Sequence, residues 1–371
     1  MQTQAAVLWG PREDWRIETV ELGEPVAHEV RVKLAASGLC HSEEHVHTGD
    51  AAYEKFPFVG GHEGAGVVDA VGPGVEHVAV GDHVVLSWMP VCGRCRWCVV
   101  GLQHLCENGA QMKAGLPLAD GKSRIHIDDR PVYTFCLLGT FSPYVVVHEL
   151  SVVRIDQDIP LDKAALVGCG VTTGWGAAVN TGEVRAGDTV VVVGVGGLGI
   201  AAVQGARLAG ASRIVAVDPV EWKRDAAKQF GATHSAADMD EALPLVADIT
   251  RGAMAAVVVL TVSIARGELI APAMHLAGKR GRVVVAAVAP TAQTEISCSL
   301  GEMMFMEKQL RGSLYGSASP WTAVPKLLDL YRTGDLQLDE MITRTYALDE
   351  INEGYEDMRA GRNLRGLVVF D

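Results

Sequence analysis

The chain has 371 residues, a formal net charge of −13, 49% hydrophobic residues and 21% charged ones. That length favours two domains and that balance is globular, while the acidic excess disfavours nucleic acid and anionic membrane surfaces as partners. The opening run MQTQAAVLWGPRED lacks the basic and apolar segments of a signal peptide, so a cytoplasmic protein is expected.

Short apolar runs at residues 5–8, 15–20 and 30–34, separated by Gly and Pro, predict an all-β opening. Residues 38–50, GLCHSEEHVHTGD, then crowd together Cys40, His41, Ser42, Glu43, His45 and His47. Taken alone, they fit equally well a polar loop followed by a half-exposed helical turn. Residues 60–68, GGHEGAGVV, set His62 and Glu63 between glycines. A His–Glu pair carries little information by itself. It matters here because the soft ligand Cys40 lies one short β segment earlier. A turn at 72–74 and a strand pattern over 81–86 follow.

The strongest local signal is CGRCRWCVVGLQHLC, in which Cys92, Cys95, Cys98 and Cys106 stand in C-x2-C-x2-C-x7-C spacing. Two-residue gaps let neighbouring thiolates reach one tetrahedral ion at about 2.3 Å each. An iron–sulfur cluster is the other use of four cysteines, but a β-rich lobe with no second cluster motif favours zinc. Four thiolates close the coordination shell, so such an ion is structural. The chain has eight cysteines, and their clustering in a large chain points to metal rather than disulfides. Residues 109–135, with Gly115, Pro117 and Gly121, predict a loop and hairpin near a site entrance. Residues 136–155 return to strands. In AALVGCGVTTGWGAAV, residues 164–179, Cys169 sits between Gly168 and Gly170 in a helical or tight-turn segment where backbones approach closely.

Beyond this point the pattern becomes βαβ. Residues 189–193 predict a buried strand, Gly194, Gly196 and Gly199 form G-x-G-x-x-G, residues 200–208 predict a helix, and a second strand over 213–217 ends at Asp218. The first glycine permits the tight turn, the second lets a pyrophosphate approach the backbone, and the third allows close helix–strand packing. The helix N-terminus favours phosphate charge. Asp218, about 20 residues on, accepts from ribose hydroxyls and repels a 2′-phosphate, so NAD(H) is expected over NADP(H). Further strands are predicted over 257–260 and 282–288, with helical connections over 221–230 and 268–276. After Gly312 the pattern breaks. Amphipathic helices over 324–331 and 348–360 and a strand over 366–370 predict a return to the first domain. The expected division is 1–170 with 315–371, carrying the cysteine lobe at 90–107, and 171–314 as the dinucleotide-binding part.

With these motifs in this order, the chain resembles the zinc-containing medium-chain alcohol dehydrogenases over essentially its whole length. The runs CLLGTFSPYV, DKAALVGCGVTTGWG, AVDPVEWKR, EKQLRGSL and LDEINEGYEDM resemble the NDMA-dependent branch, nicotinoproteins that hold NAD(H) tightly and recycle it in place. The resemblance implies an α/β protein made of a GroES-like β-rich catalytic domain and a doubly wound Rossmann coenzyme domain. It implies two zinc ions, the catalytic one on Cys40, His62 and Cys169, a ligand set known for alcohol dehydrogenase. Glu63 matches the acid behind that zinc. Glu43 stands where an Asp usually orients the ligand histidine. Ser42 and His45 match a proton relay that passes through a cofactor ribose hydroxyl to solvent. Lys223 matches a basic residue near the adenosine ribose, Arg365 one at the pyrophosphate, and His41 one on the phosphates. Thr173, Gly197 and Leu198 join the implied cofactor contacts. His47, Cys136 and Cys298 read as ordinary surface or core residues. The implied reaction exchanges hydride between a primary alcohol or aldehyde and NAD(H), with an external acceptor and a homodimer or homotetramer expected. An exchanging NAD-dependent alcohol dehydrogenase and a thiol-dependent formaldehyde dehydrogenase are the alternatives. Zinc-free quinone reductases and structural relatives are disfavoured, because every ligand position is retained.

Overall fold

A computed structural model describes residues 1–371. The chain forms two compact units, Met1–Cys169 with Ser319–Asp371, and Gly170–Ala318.

In the first unit the strands pair mostly antiparallel, with Phe58–Val59 beside Arg130–Thr134 and Ile342–Tyr346 beside Arg365–Val369 as the parallel pairs. Strands Gln2–Leu8, Arg16–Leu22, Ile125–Ile127, Arg130–Thr134 and Phe58–Val59 close a barrel in that order. The hairpin expected within residues 109–135 is present as Ile125–Ile127 and Arg130–Thr134 and forms part of the barrel wall. Leu22 pairs with Ile125, and Phe58 pairs with Tyr133. Of that excursion, the part before Ile125 stays outside the strands and begins in the 3-10 turn Glu107–Ala114.

A second sheet runs in the order Val152–Ile155, His83–Leu86, Gly64–Val71, Glu29–Gly38, Arg365–Val369, Ile342–Tyr346, and Tyr144–His148 also pairs with Glu29–Gly38. The C-terminal strand lies antiparallel to Glu29–Gly38, with Leu367 opposite Gly38. That pairing returns the end of the chain to the first unit. Trp15, Phe58, Phe141 and Tyr355 form a buried aromatic cluster there.

The second unit holds six parallel strands in the order His234–Ala236, Arg213–Val217, Thr189–Val193, Ala255–Leu260, Ala277–Val285, Gln309–Gly312. Counted along the unit, that is 3-2-1-4-5-6, the doubly wound dinucleotide order. Val190, Val191 and Val192 are fully buried, as continuous apolar strands covered on both faces must be. Tyr315–Ser317 belongs with this unit, so the chain returns to the first at Ser319 and not at Tyr315. The cause is local. A Cβ on Gly176 would collide with the Gly316 backbone, and Asn180 Nδ2 donates to the Gly316 carbonyl at 2.9 Å. No helix is long and apolar enough to cross a membrane.

Candidate active site

Cys40 is the N-cap of the helix His41–Thr48, which follows directly on the strand Glu29–Gly38. The segment that fitted a half-exposed turn is in fact a helix burying Glu43, Glu44, His45 and Val46. His62 and Glu63 immediately precede the strand Gly64–Val71. Cys169 is reached through Gly168, where an added Cβ would lie 2.9 Å from the Leu86 carbonyl. The ligand atoms of Cys40, His62, Glu63 and Cys169 all lie within 4.8 Å of one another. All four residues belong to the first unit.

The surroundings of this cluster are built as carefully as the cluster. Glu43 Oε1 takes a 2.5 Å hydrogen bond from His62 Nδ1, which leaves Nε2 free for a metal. The longer acid therefore still reaches the histidine. Arg365, from the C-terminal strand, pairs with Glu63. Burial alone would lower the His62 pKa, but the charges of Glu43, Cys169 and Cys40 hold it well above its ordinary value. The Cys169 thiol donates to Cys40, so the Cys40 thiol is pulled well below the usual range and the Cys169 thiol is pushed up. Burial raises Glu63 to about 8 against the pull of Arg365. Two sulfurs sharing a proton beside an oriented imidazole form a soft donor set that a zinc ion fits by displacing that proton.

The second cluster is Cys92, Cys95, Cys98 and Cys106, again with all sulfurs within 4.8 Å. Cys92 Sγ and Cys98 Sγ are 4.0 Å apart. Zinc–sulfur bonds of about 2.3 Å imply a tetrahedron with edges of about 3.8 Å, so the fit is close. Backbone N–H groups feed the sulfurs: that of Cys92 donates to Cys106 at 3.3 Å, and that of Cys95 to Cys92 at 3.3 Å. Such donors lower Cys95 to about 6, while burial raises Cys98 to about 12. All eight cysteines are free of disulfides.

Ser42 Oγ lies 3.5 Å from Cys40 Sγ. His45 is buried, with Asp50 Oδ2 4.0 Å from its Nδ1, and the half-buried His41 ring is 6.2 Å away. In the second unit, Gly194 takes φ 87, a conformation few residues but glycine adopt readily. A Cβ on Gly199 would strike the Gly194 carbonyl, whereas one on Gly196 would meet nothing within 4 Å. Helix Gly197–Leu208, which includes Leu198, begins at that open corner. Asp218 Oδ2 accepts from the Val195 N–H at 3.0 Å and Oδ1 from the Val220 N–H at 2.9 Å, so the carboxylate is fixed and keeps lone pairs to spare. Lys223 is half-buried; burial lowers its pKa while Asp218 opposes. Thr173 Oγ1 is buried without a partner. An open glycine corner at a helix N-terminus, a fixed acid and an orphaned hydroxyl fit a dinucleotide.

His47 pairs with Glu44 at 3.7 Å, and Cys298 lies beside Met303 Sδ at 3.7 Å. Cys136 packs against the aromatic cluster of the first unit. Sequence reasoning did not find the contacts of Arg365 with Glu63 or of Asp50 with His45. The partners in the first pair are 302 residues apart, and no local pattern announces them.

Residues 26–157 match the alcohol dehydrogenase GroES-like domain, and residues 197–332 match the zinc-binding dehydrogenase family. The chain is 46% identical over 370 residues to alcohol dehydrogenase B of Mycobacterium tuberculosis, covering 100% of this chain and 99% of the relative. Identity and coverage are the same for the NDMA-dependent alcohol dehydrogenase of Amycolatopsis methanolica. Benzyl alcohol dehydrogenase from Acinetobacter calcoaceticus superposes with a TM-score of 0.92 at 30% identity, covering 100% of both chains.

Proposed function

Because the chain belongs to the zinc-containing medium-chain alcohol dehydrogenases, we propose that it oxidises primary alcohols with an NAD(H) that stays bound and is recycled in place by an external acceptor. The observation that carries the acceptor-dependent reading is its full-length 46% identity to a protein named for NDMA dependence.

Two zinc ions per chain belong to this reading. Cys40, His62 and Cys169 hold one, with Glu63 close enough to enter its shell, and the four-cysteine lobe holds the other. The first zinc supplies the Lewis acidity that makes an alcohol proton labile, and NAD supplies the hydride acceptor. The remaining tasks fall to the chain. Glu43 holds the His62 tautomer that presents Nε2. Arg365 pairs with Glu63 and holds it in place. Ser42 Oγ takes the alcohol proton, and His45 carries it onward. Asp218 and Lys223 anchor the adenosine end, the backbone at Gly196–Gly199 receives the pyrophosphate, and His41, Thr173 and Arg365 complete the contacts. Exposed Leu300, Met304 and Phe305, with the unpaired outer edge of strand Gln309–Gly312, support self-association as a dimer or tetramer.

The test is a desalted sample given a primary alcohol and NDMA with no added cofactor. Steady turnover is expected, with NAD(H) released only on denaturation. No turnover until NAD is supplied would place the protein in the exchanging class.

A further inference from the structure

His45 receives the relayed proton, yet its side chain is only 4% exposed, so bulk water has little access to it. The inference below rests on that relay reading. The end of its own helix builds a way out. Gly49 turns the chain at φ 87, and the Ala51 N–H donates to the His45 carbonyl at 2.9 Å. Asp50 is thereby folded back beside the imidazole. Its Oδ2 lies 4.0 Å from His45 Nδ1, and its side chain is 31% exposed. The Thr48 hydroxyl donates to the same Oδ2 at 2.7 Å and aims the carboxylate. The other charged groups nearby are engaged elsewhere. Glu44 is held by Arg359 at 3.2 Å and by His47 at 3.7 Å, and His41, on the same helix face, is a second base and not a carboxylate.

We propose that Asp50 is the outer member of the proton relay, accepting the proton from His45 Nδ1 and releasing it to water. The balance is complete. The alcohol loses a C–H hydrogen with both electrons to NAD and its O–H hydrogen as a proton. As Ser42 takes that proton it would pass its own hydroxyl proton, by way of the cofactor ribose hydroxyl, to His45 Nε2, and His45 gives up the proton on Nδ1 to Asp50 Oδ2. The Asp50 carboxyl then gives it to solvent; Ser42 and Asp50 regain their starting states, and His45, left with its proton on Nε2, returns to the Nδ1–H form by a flip of the ring before the next turnover. The 4.0 Å gap exceeds a direct hydrogen bond; a small turn of the Asp50 side chain or one bridging water spans it.

The test uses zinc-loaded holoenzyme carrying Asp50→Asn, Asp50→Glu or Thr48→Val. Alcohol oxidation is followed from pH 6 to pH 10, with and without added imidazole. Asp50→Asn is expected to lower kcat about tenfold at the acid end, where hydroxide cannot substitute for the lost base, and to change KM by less than about twofold. Added imidazole buffer restores the rate. Asp50→Glu stays near wild type, and Thr48→Val gives a smaller loss of the same pH shape. A wild-type pH profile in Asp50→Asn overturns the proposal, and so does a pH-independent loss that imidazole does not restore. Failure of the wild-type holoenzyme to oxidise alcohols is a separate outcome that overturns the parent reading.

Discussion

Glu43 shows how much one side chain decides. It is fully buried, where a carboxylate is costly, and its partner is the His62 imidazole. That bond chooses which ring nitrogen faces the sulfurs. Glu43→Gln keeps the shape and removes the charge, so His62 loses the partner that keeps it a strong donor. The variant is expected to fold, and to bind zinc at the Cys40 cluster about 10- to 100-fold more weakly, the usual cost of losing an acid behind a ligand histidine. Competition with a chromogenic chelator measures this directly. Unchanged affinity would show that the Cys40 and Cys169 sulfurs set the site alone.

The turn into helix Gly197–Leu208 separates two glycine roles that look alike in sequence. Gly199 packs against the Gly194 carbonyl, so a methyl there pushes the helix off its strand. Gly196 faces open space, so a methyl there disturbs nothing in the protein. Gly199→Ala is therefore expected to lower Tm and cofactor content together. Gly196→Ala is expected to keep the Tm of the cofactor-free protein and still lose most of its NAD(H), because the added carbon stands where a pyrophosphate would approach. Calorimetry with NAD(H) release on the same samples checks both. Full NAD(H) retention in Gly196→Ala would move the pyrophosphate elsewhere.

At the scale of the molecule, the two ligand clusters are expected to serve different ends. The cysteine lobe has little apolar core of its own, with Val99, Val100 and Leu102 exposed, so its fold is expected to depend on the ion proposed for it. The Cys40 cluster lies against a barrel and sheet that are already well packed. Cys95→Ala should therefore cost about 3 kcal/mol, or roughly 5–10 °C in Tm, and one zinc per chain. Cys169→Ala should also lose one zinc but leave Tm within a few degrees and abolish turnover. Elemental analysis beside thermal melts distinguishes the two, and equal melting losses in both variants would refute the division of labour.

What could be read from sequence was what local spacing controls. Cysteines separated by two residues converge whatever surrounds them, and a glycine turn between two valine-rich strands admits few conformations. The strand-to-helix turn ending at Asp218, the four-cysteine lobe and the amphipathic C-terminal helices were legible for that reason. The tertiary structure decided everything that depends on distant backbones meeting. It made the 109–135 hairpin a barrel wall, brought Arg365 to Glu63, held Tyr315–Ser317 with the second unit through the contact of Gly316 with Gly176, and buried His45 so that Asp50 became its nearest carboxylate. Such pairings are set by side-chain volume and by the closing of sheets, and a linear pattern carries neither.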